Sequence, residues 1–251
     1  MASWGNFMSG EIDSSYGPIA GSFAARSWII GGRMLVVACA LILALSACDD
    51  SFDSDGSHSV NGSLHVAAGK AASDVTTVNG SIHVDDNAAV LSAATVNGGI
   101  HLGAHATATS LKTVNGAISL GDGVHVSGSA GSVNGDLTLG DGADVSGSLG
   151  NVNGKIALTA AHVAGGISTV SGDIKIMGAS HVEGGILVKR QSGFGFSFGE
   201  DIPKIVIGPG ATVQGELHFE RKVRLFVSDK ATIGTVTGAT PVPFTGDSPP
   251  P

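Results

Sequence analysis

Aromatic and charged side chains are both scarce in this chain, at 5% and 14% of residues. Trp4, Tyr16 and Trp28 all precede Cys48, so the chain from that cysteine onward holds no Trp or Tyr. Sugar binding by aromatic stacking is therefore poorly served. No arginine occurs between Arg33 and Arg190, and the formal net charge is −8. A nucleic-acid partner needs a basic stripe, and this chain has none. The only cysteines are Cys39 and Cys48, too few for a disulfide framework. No apolar run reaches the ~18 residues of a spanning helix. What the chain has instead is 39 glycines and regularly spaced aliphatic residues. The glycine density works against helices, and the regular spacing argues against disorder.

The spacing comes from a repeat. "SVNGSLHV" at Ser59 recurs as "TVNGSIHV", "TVNGGIHL", "TVNGAISL", "SVNGDLTL", "NVNGKIAL" and "TVSGDIKI". The motif asparagine falls at Asn61, Asn79, Asn97, Asn115, Asn134 and Asn153, with Ser171 in the seventh slot, in steps of 18 or 19 residues. A fixed step means stacked supersecondary units that touch mainly their neighbours. A six-residue period lies inside it: Val60, Val66, Ala72, Val78, Val84, Val90, Val96 and Leu102 are all apolar. A second apolar series runs two positions earlier, through Leu64, Ile82, Ala88, Ala94 and Ile100. Alternate strand residues share a face, so each six-residue segment reads as a short strand with two inward residues and a corner. Three segments close one coil. The expected fold is all-β, a single-stranded β-solenoid of triangular cross-section with 18–19 residues per coil. About ten coils at ~4.8 Å make a rod ~45–50 Å long. On this registry Val96 points inward, and Val96→Asp breaks the rod by burying an unpaired charge.

Asn-Gly suits a corner with positive φ, because glycine has no Cβ and Asn tolerates the left-handed region. Asparagines at one corner of successive coils are also expected to hydrogen-bond along the rod as a ladder.

The ends differ. Arg26 and Arg33 precede an apolar run over 34–44, the layout of a signal peptide. The run ends in Leu45-Ser46-Ala47-Cys48, which resembles a bacterial lipobox. That resemblance implies removal of the signal and a diacylated Cys48 at the new N-terminus, anchored in a membrane. Asp49 and Asp50 resemble an inner-membrane retention signal, which favours the periplasmic face of the inner membrane over the outer membrane. The expected divisions are a signal peptide with lipobox over 1–47 and the lipidated cysteine with a polar tether over 48–58. Regular solenoid repeats follow over 59–188, then a Phe-containing loop with C-terminal coils and cap over 189–240. A disordered Pro-rich tail over 241–251 ends the chain, its prolines stopping edge pairing. Phe194, Phe196 and Phe198 alternate in the loop, as a lid on the rod or as a partner contact.

The 18-residue step, with "IVIGPGATVQGELHF" and "KVRLFVSDKATIG", resembles bactofilins, polymer-forming bacterial proteins with a triangular β-helix. The "SVNGDLTL" and "TVSGDIKI" units also look like adhesin-type repeats of bacterial surface proteins. The resemblance implies a right-handed coil and self-association, although bactofilins are typically cytoplasmic and carry no lipoprotein signal.

His65, His83 and His101 occupy one outward slot in three successive coils. Two imidazoles stacked at ~4.8 Å could share a zinc or copper ion, with Asp85, Asp86 or His105 completing the set. The slot then drifts to Ser119, Thr138, Ala157 and Lys175, as a solvent-facing decoration does, so no metal and no cofactor is expected. A general acid–base pair needs two carboxylates on one wall beside a cleft; Asp122, Asp141 and Asp144 lie in "GDGVHV" and "GDGADV" turns, and a smooth rod supplies no such cleft. The expectation is a non-catalytic, lipid-anchored scaffold of the cell envelope that self-associates or binds an envelope protein or polysaccharide. The alternative is an adhesin-like surface binding module, and a metal-binding solenoid stands third.

Overall fold

The computed structural model describes residues 56–190 and 202–249. The expected lipidation site Cys48 and the expected contact residues Phe194, Phe196 and Phe198 lie outside the described residues. Among the described residues every regular element is a strand.

Ten strands stack in parallel and in sequence order, from Leu64–Val66 to Val242–Phe244, one per coil. They form the first face. The other two faces begin as continuous nine-residue strands, Ala71–Asn79, Ala89–Asn97 and Thr107–Asn115. From the next coil each is cut in two. His125–Val126 and Ala130–Asn134 both pair with Thr107–Asn115, one near each end. The cut has a visible cause. Two residues, Thr109 and Ser110, separate Ala108 from Leu111, whereas three, Ser127, Gly128 and Ser129, separate Val126 from Ala130. The extra residue turns a bent strand into a true corner, and a glycine sits at its middle. The described residues thus form a three-faced β-solenoid of ten coils.

Alternating burial fixes what each face points inward. On the first face Ile82, Val84, Ile100 and Leu102 are buried and the residues between them are exposed. The third face differs from the six-residue expectation. Its inward columns are Val75, Ala93, Leu111, Ala130 and Leu149, beside Thr77, Thr95, Thr113, Ser132 and Asn151. Val78, Val96 and Val114 are only half-buried and Val60 is 47% exposed. The motif valine therefore does not point into the core, and the expected rupture by Val96→Asp falls with it.

The reason is a hydrogen bond that hydropathy does not register. The Thr95 hydroxyl donates to the Gly80 carbonyl at 2.9 Å, Thr113 to Gly98 at 2.9 Å and Ser132 to Gly116 at 3.0 Å. A buried hydroxyl with such a partner costs little to place inside. Every buried side-chain nitrogen and oxygen among the described residues has a partner.

The Asn-Gly corner also differs from expectation. Among the motif glycines only Gly62 and Gly154 have positive φ, at 149° and 123°. Left-handed residues instead line the corner between the first and second faces, as Gly69, Asn87, His105, Gly123, Gly142 and Ala160. The motif glycine is needed for room. A Cβ at Gly98 would sit on the carbonyl of Gly80, and one at Gly116 on the carbonyl of Gly98.

The stack resumes after the segment outside the described residues, with Ile205 directly opposite Ile174. Residues 242–244, expected in a disordered tail, instead form the last strand of the first face. Phe244 is buried there, and Pro243 is tolerated because no further strand needs its missing N–H.

Candidate functional site

The parallel register brings outward side chains into vertical columns. The motif asparagines form one. Asn79 Nδ2 donates to Asn61 Oδ1 at 3.0 Å, and the pattern repeats through Asn97, Asn115, Asn134 and Asn153 at 2.9 to 3.0 Å. Each amide donates to the coil before it and accepts from the coil after it, so a single residue type can tile a corner indefinitely. At Ser171 the column changes: the Arg221 guanidinium donates to Ser171 Oγ at 3.1 Å and to the Val170 carbonyl at 2.9 Å.

His65, His83 and His101 stand side by side on the first face, all exposed. Their neighbours do not converge into a ligand set. His65 Nε2 lies 2.9 Å from Asp85 Oδ2, while Asp86 Oδ1 accepts the Ala104 amide at 2.7 Å. The His83 and His101 rings are 6.0 Å apart and tilted by 54°. His105 is at the left-handed corner instead.

A second column of ionisable residues climbs the second face. His125, Asp144, His162 and His181 are consecutive partners in register, each followed by a buried valine. The valine anchors each short strand and turns the residue before it outward. Asp144 lies between two imidazoles, with His125 Nδ1 2.7 Å from Oδ2 and His162 Nδ1 2.5 Å from Oδ1. Burial pushes the Asp144 carboxyl up. The hydrogen bonds and positive charges of His162 and His125 outweigh that effect and hold it below the usual value. His162 is raised above the ordinary imidazole value, first by its hydrogen bond to Asp144, against burial, and with help from Glu183.

The linkage has a definite sign. The raised His162 adds stability that is full below the unfolded imidazole pKa and disappears as pH rises through its folded pKa. The depressed Asp144 adds stability that is present above the unfolded carboxylate pKa and disappears as pH falls through its folded pKa. Both side chains are at least a third exposed, so solvent screening keeps the pair below about 1 kcal/mol. The sharper observable is local. In chelator-treated protein, Asp144→Asn should return the His162 titration toward the ordinary imidazole range, followed by ring-proton chemical shifts. An unchanged titration would remove Asp144 as the cause.

This column has its own sequence signal: "VHVSGS", "ADVSGS", "AHVAGG" and "SHVEGG" carry His125, Asp144, His162 and His181 in one slot. The structure places the expected first-face histidines outward but assembles three candidate metal ligands only on the second face, among the described residues.

The fold defines the class, a parallel β-solenoid built from short repeats. Compared with protein-family models, curated proteins and solved structures, the chain matches none of them.

Proposed function

We propose that this protein is a non-catalytic, lipid-anchored rod of the bacterial cell envelope, held through Cys48 and associating with copies of itself or with an envelope protein or polysaccharide. The inner membrane, on its periplasmic side, is the favoured location, from Asp49 and Asp50. The bactofilin-like pattern of the repeats belongs to this reading.

The observation that carries it is the difference between the two ends of the stack. Among the described residues, Gly56–Asn61 pairs only with Ala71–Asn79, and Leu64–Val66 only with Ile82–Val84. This first coil is mostly exposed, Val60 included. An open parallel edge with an apolar residue on it is a template for another strand. At the opposite end Pro243 occupies the last strand of the first face, where it lacks a donor. Association is therefore expected through the first coil.

The test is light scattering behind size exclusion on a soluble form starting at Asp49, with negative-stain microscopy of the same peak. Filaments or discrete oligomers are expected, and Val60→Lys should shift them toward monomer. A monomer at all concentrations would remove self-association and leave a surface rod of the adhesin-like kind.

A further inference from the structure

We propose that His162, His181 and Glu183 form a binding site for a divalent late transition metal, with zinc as the natural occupant, and that Asp144 positions His162 within it. The site lies on the second face, away from the first-face histidines.

Each of the three residues offers one ligand atom, and these atoms lie within 4.8 Å of one another. His162 Nε2 and Glu183 Oε1 are already 3.2 Å apart. Zinc bound at about 2.0–2.1 Å from nitrogen and oxygen in a tetrahedron separates its ligands by about 3.3 Å. That edge of the polyhedron is therefore in place. The two imidazole rings stand 5.7 Å apart and nearly parallel, at 21°, so a small rotation of His181 closes the third position.

The backbone holds the arrangement. His162 and His181 are direct partners in a parallel pair, locked by the fully buried Val163 and Val182 beneath them. Glu183 follows His181 by two residues, at the first position of the corner after the short strand His181–Val182, and is exposed. Its amide donates to the Val163 carbonyl at 3.0 Å, which sets it beside the small Ala164 and leaves it free to lean toward His162.

The residues around the cluster match what a zinc site requires. A zinc-bound histidine commonly gives its other ring N–H to a carboxylate, which fixes the tautomer and orients the ring. Asp144 does this at His162 Nδ1, leaving Nε2 for the metal, and Asp144 is itself held by His125. Two imidazole nitrogens with one carboxylate select zinc and its neighbours over calcium or magnesium, which prefer all-oxygen shells. Three protein ligands leave one coordination position for water.

The test uses the full chain purified in detergent and stripped with a chelator, titrated with zinc against a chromophoric competitor. One zinc ion per chain is expected, with no comparable uptake of magnesium or calcium. His162→Ala and Glu183→Gln should each weaken zinc binding by well over 10-fold, and Asp144→Asn by about 10-fold. The double change His83→Ala with His101→Ala should leave it unaltered. Because Glu183→Gln is nearly isosteric and exposed, its loss of affinity with an unchanged circular-dichroism spectrum would separate ligation from folding. Cobalt in place of zinc should give the intense visible bands of a tetrahedral site. Absence of zinc binding would overturn the proposal. So would binding that survives His162→Ala with His181→Ala, or binding lost in the His83/His101 double variant.

Discussion

Leu149→Asp should abolish the cooperative fold. Leu149 is fully buried on the third face, stacked between Ala130 in the coil before and Ile167 in the coil after. Removing a buried Leu side chain costs about 2.7–5 kcal/mol through lost transfer energy and the cavity left behind. The new carboxylate then lies among aliphatic side chains, where a charge without a partner costs several kcal/mol more or must be protonated. A domain is stable by only about 5–15 kcal/mol, so the sum is enough to unfold it. Each coil touches mainly its neighbours, so the lesion also cuts the stack in two and weakens both halves. Val96→Asp is the matched comparison. Its half-exposed position allows the carboxylate to reach water, and the expected cost is below about 1 kcal/mol. Urea unfolding followed by the strand signal in circular dichroism measures both. Comparable losses in the two variants would refute the inward columns assigned to the third face.

Gly98→Ala should destabilise the solenoid by about 3 kcal/mol, combining overpacking with the loss of a buried hydrogen bond. The added Cβ falls on the Gly80 carbonyl, a backbone atom that cannot swing aside. That carbonyl also accepts the buried Thr95 hydroxyl, and the Gly80 amide donates to the Asn97 carbonyl at 3.1 Å. Moving Gly80 to make room strains both bonds. Gly69→Ala separates this cause from backbone conformation. Gly69 has a φ of 68° but open space around its Cβ direction, so only the left-handed penalty of about 1–2 kcal/mol applies. If conformation governed the motif glycine, Gly69→Ala would be the costlier change. Thermal unfolding of both variants decides between steric room and φ.

The 18-to-19-residue step requires stacked coils, because only a repeated unit explains a motif that returns at a constant interval. Scarce aromatics and abundant glycine suit a narrow coil with tight corners, and the outward placement of His65, His83 and His101 follows from strand alternation. The third face departs from the apolar periodicity. Val96 is more hydrophobic than Thr95, yet Thr95 is inside, since the carbonyl of Gly80 in the neighbouring coil satisfies its hydroxyl. That carbonyl becomes a partner only after the coils have stacked.

The sequence by itself determined the repeat, the solenoid and the asparagine ladder, since each depends on residues recurring at one interval. The tertiary structure decided which side chains meet across coils. Whether Glu183 of one coil reaches His162 of the coil before depends on the register and on the three-residue corner of the second face. Those are properties of neighbouring strands in contact, and no single stretch of chain contains them.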